Sequence, residues 1–113
     1  MLTVDYGDVA SRLYDRRPRG TLRGYAHHQL VEGADLYAAP GRRDLTADVN
    51  FTDLQEWGTA LGLENQTLTT QADFLRQWGP PKQLRSENPA IRYLLDTEGM
   101  GGAFRVLEQA PTT

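Results

Sequence analysis

The sequence predicts a small α/β domain in which strands alternate with helices. Short segments rich in β-branched and aromatic residues recur near the start, the middle and the end of the chain. Amphipathic stretches with recognisable start and stop signals lie between them. At 113 residues and 39% hydrophobic content, the chain can build one modest core. It contains no internal repeat and no low-complexity tract.

The elements follow in order. Leu2 to Gly7 reads as a strand closed by a glycine turn. Residues 8–20 carry Arg12, Arg16, Arg17, Arg19 and Pro18 and read as a surface loop or a ragged helix. A short strand is expected within Thr21 to Val31, and a loop over Glu32 to Arg43, which holds Gly33, Pro40 and Gly41. Asp44-Leu45-Thr46 continues as a loop whose aspartate ties down backbone N–H groups. Thr52-Asp53-Leu54-Gln55 fits a capping box, so a helix begins there. Its apolar face is Phe51, Leu54, Trp57 and Leu61, and Gly62 ends it, with Leu63 folding back on the last turn. A strand over 66–70 precedes a helix over 71–78 that turns Phe74, Leu75 and Trp78 inward. Gly79-Pro80-Pro81 stops that helix. A third helix starts at Asn88-Pro89 with Ile91, Leu94 and Leu95 as its stripe, and ends before Gly99. Residues 103–107 form the last strand, and 109–113 should fray. Trp57 and Trp78 read as core residues.

Composition narrows the function. Net charge is −3, so no overall field draws in nucleic acid or an anionic membrane. With no cysteine, the chain has no disulfide framework, thiolate zinc site or cysteine nucleophile. No apolar run is long enough to span a bilayer, and the N-terminus lacks the pattern of a signal peptide, so a cytoplasmic protein is expected. Asp5-Tyr6-Gly7 closes a strand, where an α/β sheet binds its ligands; the plainer alternative is a capped turn. His27 and His28, adjacent on a strand, would point to opposite faces and so rarely share a metal; no metal site is expected. One of them could serve as a general base. Arg16, Arg17, Arg19 and Arg23 could clamp an anion, but Asp8 and Asp15 nearby make a self-paired surface the simpler expectation. The dinucleotide, phosphate-loop, zinc-protease and nucleophile-elbow motifs are all missing. Gly99-Met100-Gly101-Gly102 falls between a helix and a strand, the wrong context for a cofactor loop.

Five strings in register carry a family resemblance: VDYGD at 4–8, RGTLRGYAHH at 19–28, PGRRDLTADVNF at 40–51, LTTQADFL at 68–75 and MGGAFRVLEQ at 100–109. Together they resemble the C-terminal part of the MidA-like S-adenosylmethionine-dependent methyltransferases, from about Leu2 to Glu108. The resemblance implies the C-terminal part of a Rossmann-like class I methyltransferase fold, a mixed sheet with helices, here as a single domain over 1–113. The family's mitochondrial member is an assembly factor for respiratory complex I that methylates an arginine on one of its subunits, which implies a protein substrate.

In that family the glycine-rich loop and an acidic segment that meet the cofactor lie upstream of the string resembling VDYG, and neither occurs here. The chain is therefore expected to be a fragment, inactive alone and without bound S-adenosylmethionine, which only the full-length protein would hold. It is also expected to self-associate to cover its exposed edges. The alternative is a non-catalytic module that binds a protein partner with the family's substrate-recognition half. Asp5, Tyr6 and Gly7 are implied at the active-site edge, with Asp5 and Tyr6 as the catalytic candidates. Thr21, Arg23, Tyr25 and His28 are the next candidates for contact with substrate or cofactor. Asp44, Thr46 and Gln71 match further polar positions, where DLTA would fix the loop entering the Phe51 helix and TTQA would cap the next helix. Asp48 and Asn50 stand where the resemblance leads one to expect His and Asp.

Overall fold

The computed structural model describes all 113 residues, Met1 to Thr113. β1 (Leu2–Asp8) leads into α1 (Ala10–Leu13). Next come β2 (Arg23–Ala26), β3 (Gln29–Val31), a 3-10 turn (Gly33–Tyr37) and β4 (Asp44–Thr46). β5 (Val49–Asn50) runs directly into α2 (Phe51–Ala60), followed by β6 (Leu63–Thr70) and α3 (Gln71–Trp78). The chain finishes with α4 (Pro81–Leu84), α5 (Pro89–Leu95), α6 (Met100–Ala103) and β7 (Phe104–Pro111).

Two sheets result. The larger has the order β5-β1-β7-β6, and the smaller the order β3-β2-β4. β7 is antiparallel to both β1 and β6, so those two run parallel to each other with the last strand between them. β5 joins the outer side of β1 in parallel, but only at Gly7 and Asp8. Val106 and Leu107 are neighbours in β7, so they point to opposite faces. Each is 1% exposed, which shows that both faces are covered there. α2 covers the Leu107 face: Gly58 lies against the side chain of Gln109, whose Nε2 also donates to the Leu54 carbonyl. That leaves α3 and α6, which also contact β7, for the Val106 face.

The structure corrects several expectations. Residues 21–31 form a two-stranded hairpin, with Ala26 opposite Gln29 and His27-His28 as its turn. Both histidines take left-handed backbone, φ 50° and 63°, the geometry that matches the twist of a two-residue hairpin. They therefore do not alternate along a strand. Asp44-Leu45-Thr46 is a strand paired with β2, not a loop. The cap of α2 is Asn50, whose Oδ1 accepts from the N–H groups of Thr52 and Asp53. Thr52 instead uses its hydroxyl to accept from the Ala10 N–H, which ties α1 to α2. Trp57 and Trp78 are 61% and 64% exposed and lie outside the core, whereas Phe51 is fully buried. The buried stripe of α2 runs through Phe51 and Gly58, seven residues apart, and Trp57 lies off that stripe. Residues 109–111 are not frayed: β7 continues to Pro111 opposite Leu63, and Gln109 is 4% exposed. The cap at Thr70, the helix start at Pro89 and the left-handed stop at Gly62 form as expected, and the Asn88 side chain caps that helix by accepting from the Ala90 N–H.

Phe51→Ala should cost about 3–5 kcal/mol in a urea melt, by loss of transfer energy and an unfilled cavity. Trp57→Ala should cost less than about 1 kcal/mol, as exposed positions do. Leu2 to Tyr6 leave their outer strand edge unpaired, and Leu2, Val4 and Tyr6 are 53%, 46% and 38% exposed on one face. We expect concentration-dependent association through this edge, seen by light scattering, and a monomer when Val4 is replaced by lysine. A native chain that stays monomeric at high concentration would count against it.

Candidate functional site

The parallel strands β1, β5 and β6 end at Asp8, Asn50 and Thr70, and each is followed at once or after one residue by a helix. Clefts therefore collect at the carboxyl ends of these strands, where open α/β sheets place ligands. Asp8 lies at their centre. Its Oδ2 accepts from Arg105 Nη2 at 2.9 Å, and Oδ1 accepts from the Val9 N–H at 2.8 Å. Arg105 Nη1 also donates to the Gly102 carbonyl at 2.5 Å. The two side chains are only 16% and 21% exposed, so this ion pair is mostly removed from water.

Two clefts flank the pair and share Asp8, Arg12 and Arg105. One, about 270 Å³, extends to Gly7, Arg17 and Asp48. The other, about 350 Å³, extends to Thr69, Thr70 and Asp73, and in it the Thr69 hydroxyl is buried without a hydrogen-bond partner. Gly7 is required by a close approach, since any side chain there would overlap the Val49 carbonyl. The neighbour that glycine accommodates is thus the β5 backbone.

Asp48 organises the far wall. Its carboxylate accepts from Arg17 at 3.0 Å and Arg23 at 2.8 Å, and its N–H donates to the Thr21 hydroxyl at 3.0 Å. The hydrogen bond from Asp48 raises the pKa of Arg23 above its ordinary value, against a lowering from burial; Tyr25 adds to the rise. Arg17 and Arg23 thus find their partner in Asp48, just before β5, and not in Asp8 and Asp15 as the sequence suggested. A further cleft of about 250 Å³ lies beyond, lined by Arg17, Thr21, Arg23, Glu32 and Asp48.

Of the residues singled out in the sequence, Arg23, Tyr25, Asp44 and Thr46 share one face of the small sheet. Arg23 sits opposite Thr46, and Tyr25 opposite Asp44. Thr21 and Arg23 reach Asp48 and so border the clefts. Asp5 is half-buried in β1 with Oδ1 accepting from the Tyr6 N–H at 2.8 Å. Tyr6 packs edge-on against Phe104 with ring centroids 4.9 Å apart. His28 is exposed at the hairpin turn. Gln71 donates from Nε2 to the Leu94 carbonyl, binding α3 to α5. Asp8 and Arg105 were the residues the sequence did not single out. Both lie inside the quoted strings, Asp8 as the last letter of VDYGD, but their pairing spans 97 positions. No group of three or more His, Asp or Glu residues is placed to hold a metal ion. No helix is long and apolar enough to cross a membrane.

A mixed sheet with an antiparallel last strand inserted between parallel ones, and clefts at the ends of the latter, is a methyltransferase architecture. Residues 1–69 match a family described as "Putative S-adenosyl-L-methionine-dependent methyltransferase". The chain belongs to that family. Over 120 residues it is 32% identical to the mitochondrial protein arginine methyltransferase NDUFAF7 of Danio rerio, covering 92% of this chain and 25% of the relative. Over 54 residues it is 44% identical to the protein of the same name from Rattus norvegicus, covering 48% of this chain and 10% of that one. A COG1565 superfamily member from Burkholderia thailandensis, solved with S-adenosyl-homocysteine bound, superposes with a TM-score of 0.78 at 28% identity. That match covers 98% of this chain and 31% of the other. A native crystal structure of a COG1565 superfamily protein from the same organism gives 0.75 at 26% identity. This chain thus spans about a quarter of the length of the zebrafish relative.

The clefts at the strand ends are lined mostly by charged and polar side chains, with Leu13, Leu22, Val9 and Leu68 as their larger apolar members. The glycines of the 99–102 segment are used in packing: side chains at Gly101 and Gly102 would run into the backbone of residues 94–97.

Asp8→Asn should lower stability by about 1–2 kcal/mol, because it weakens a mostly buried pair that keeps some contact with water. Gly7→Ala should cost more than about 2 kcal/mol, because the added methyl forces β5 off β1. Chemical denaturation of both variants checks the order.

Proposed function

We propose that this chain is the acceptor-side portion of a methyltransferase that uses S-adenosylmethionine to methylate an arginine of a partner protein. The observation that carries the reading is the 32% identity to a protein arginine methyltransferase across 92% of the chain. The surface chemistry supports it. Asp44 and Tyr25 are exposed partners on one sheet face, a carboxylate beside an aromatic ring, which suits a guanidinium. Asp5, on β1, keeps Oδ2 free of hydrogen bonds and is a second carboxylate of that kind. Asp5, Tyr6 and Gly7 form the active-site edge, with Thr21, Arg23, Tyr25, His28, Asp44, Thr46 and Gln71 around it. The cofactor is held mainly by residues outside these 113. A respiratory-complex subunit is the partner that the family resemblance implies.

One observation favours a second reading. Because no glycine-rich dinucleotide-type motif opens a helix after a strand in these 113 residues, the same surface can serve as a module that binds an arginine-bearing protein without modifying it.

Two measurements separate the readings. Equilibrium dialysis of this chain with radiolabelled S-adenosylmethionine should show no retention at micromolar concentration; retention would mean that the chain is self-sufficient. The longest form of the protein found in cells should transfer label to protein arginine, read by mass spectrometry. There, Asp5→Asn or Asp44→Asn should cut transfer about 10- to 100-fold, the worth of a charge-assisted hydrogen bond. Binding of an arginine-bearing partner without transfer by that form would establish the second reading.

A further inference from the structure

Between Pro18 and Ala47 the chain builds the whole small sheet. No hydrogen bond joins this segment to the large sheet except those that end on Asp48. β2 pairs only with β3 and β4, and the 3-10 turn packs back on β2 through Leu36, which is 7% exposed. The small sheet is therefore a unit with its own packing. Its chain connections to the rest are the 14–22 segment and the single residue Ala47. Gly20, at φ 76° beside the first connection, has open space around it. The Asp48 carboxylate binds the unit through Arg23 in β2, and it also holds Arg17, which lies in the connection before Gly20. The Arg17–Asp48 pair is also the wall common to two clefts, one of about 270 Å³ and one of about 250 Å³.

We propose that Asp48 is a latch. While it holds Arg23 and Thr21, the small sheet stays fixed against the end of β1. When it lets go, the small sheet swings about Gly20 and Ala47, and the cleft between Arg17 and Asp48 on one side and Thr21, Arg23 and Glu32 on the other opens. Arg23 leads this motion because it lies in β2, so its guanidinium moves with Tyr25 and Asp44 on the same face. The latch is a positioning device: Asp48 acts through the arginines and not on a ligand. The Arg23–Asp48 pair, still 27% exposed on the Arg23 side, makes a fastening that salt weakens without unfolding the core. The inference rests on the geometry of the two sheets and stands whether or not the chain takes part in methyl transfer.

The chain has no cysteine, so two introduced ones carry spin labels without competition. Gln29→Cys in β3 and Glu56→Cys in α2 are exposed and report the spacing of the two units. Electron–electron distance measurement should give one narrow distribution in the otherwise native chain. Adding Asp48→Asn should broaden it or bring in a second, longer distance, and Asp48→Glu should restore the narrow one. One molar salt should broaden the native distribution in the same direction. A distribution for Asp48→Asn that superposes on the native one would overturn the latch. So would a broadening accompanied by loss of the cooperative melt, if Arg17→Met with Arg23→Met then melts cooperatively and keeps the narrow distance.

Discussion

The placement of β7 between β1 and β6 is the constraint on which the rest of the structure depends. Without β7 those two strands have no common neighbour, because β1 and β6 are hydrogen-bonded only through it. β7 also supplies Val106 and Leu107, which lie under opposite layers of helix, and Gln109, which fixes α2. The N-terminal ammonium donates to the Gln109 carbonyl at 2.6 Å, so the first residue is tied to the same strand. Arg105, near the start of β7, then meets Asp8 at the end of β1. The core and the candidate site thus share one strand, and a change that loosens β7 must reach both.

Carboxylates do two different jobs at this end of the sheet. Asp8 closes the large sheet on itself, joining its first and last strands through Arg105. Asp48 joins one sheet to the other, holding Arg23 and Thr21 of the small unit and Arg17 of the segment leading into it. Both are partly shielded from water, so each pair carries a desolvation cost that geometry must offset. Asp8 meets this with hydrogen bonds to a backbone N–H and to a guanidinium that is itself bonded to a carbonyl. Asp48 meets it with two arginines, the more exposed of which remains open to screening.

Local signals in the sequence were legible where neighbours within a few positions decide the outcome. The cap at Thr70, the helix start at Pro89, the proline stop after Trp78 and the left-handed Gly62 depend on backbone chemistry inside one turn. The alternation of strands and helices and the family resemblance followed from such segments taken in order. Tertiary context decided the rest. Trp57 has the spacing of a core residue, but the stripe of α2 that meets the sheet runs through Phe51 and Gly58 and leaves it outside. Residues 109–111 looked like a tail because their partners, Leu63 to Asn65, lie over 40 positions away. His27-His28 has none of the usual glycine or asparagine of a tight hairpin, so the turn left no signature. Asp48 stood out only as a departure from a pattern, and its partners became visible only when β2 was folded beside it.

The pairing of β1 with β7 has a consequence for how the chain is made. Synthesis runs from the N-terminus, so β1 leaves the ribosome about a hundred residues before the strand that fills its inner edge. During that interval Leu2, Val4 and Tyr6 are presented with their inner strand edge open. The hairpin of β2 and β3 can close on its own, because its contacts are local. Between the emergence of β1 and of β7, this part of the chain therefore carries a finished small sheet beside an unfinished large one. Chaperones that shield extended apolar segments have their greatest effect in that window, and the need for them ends when β7 docks.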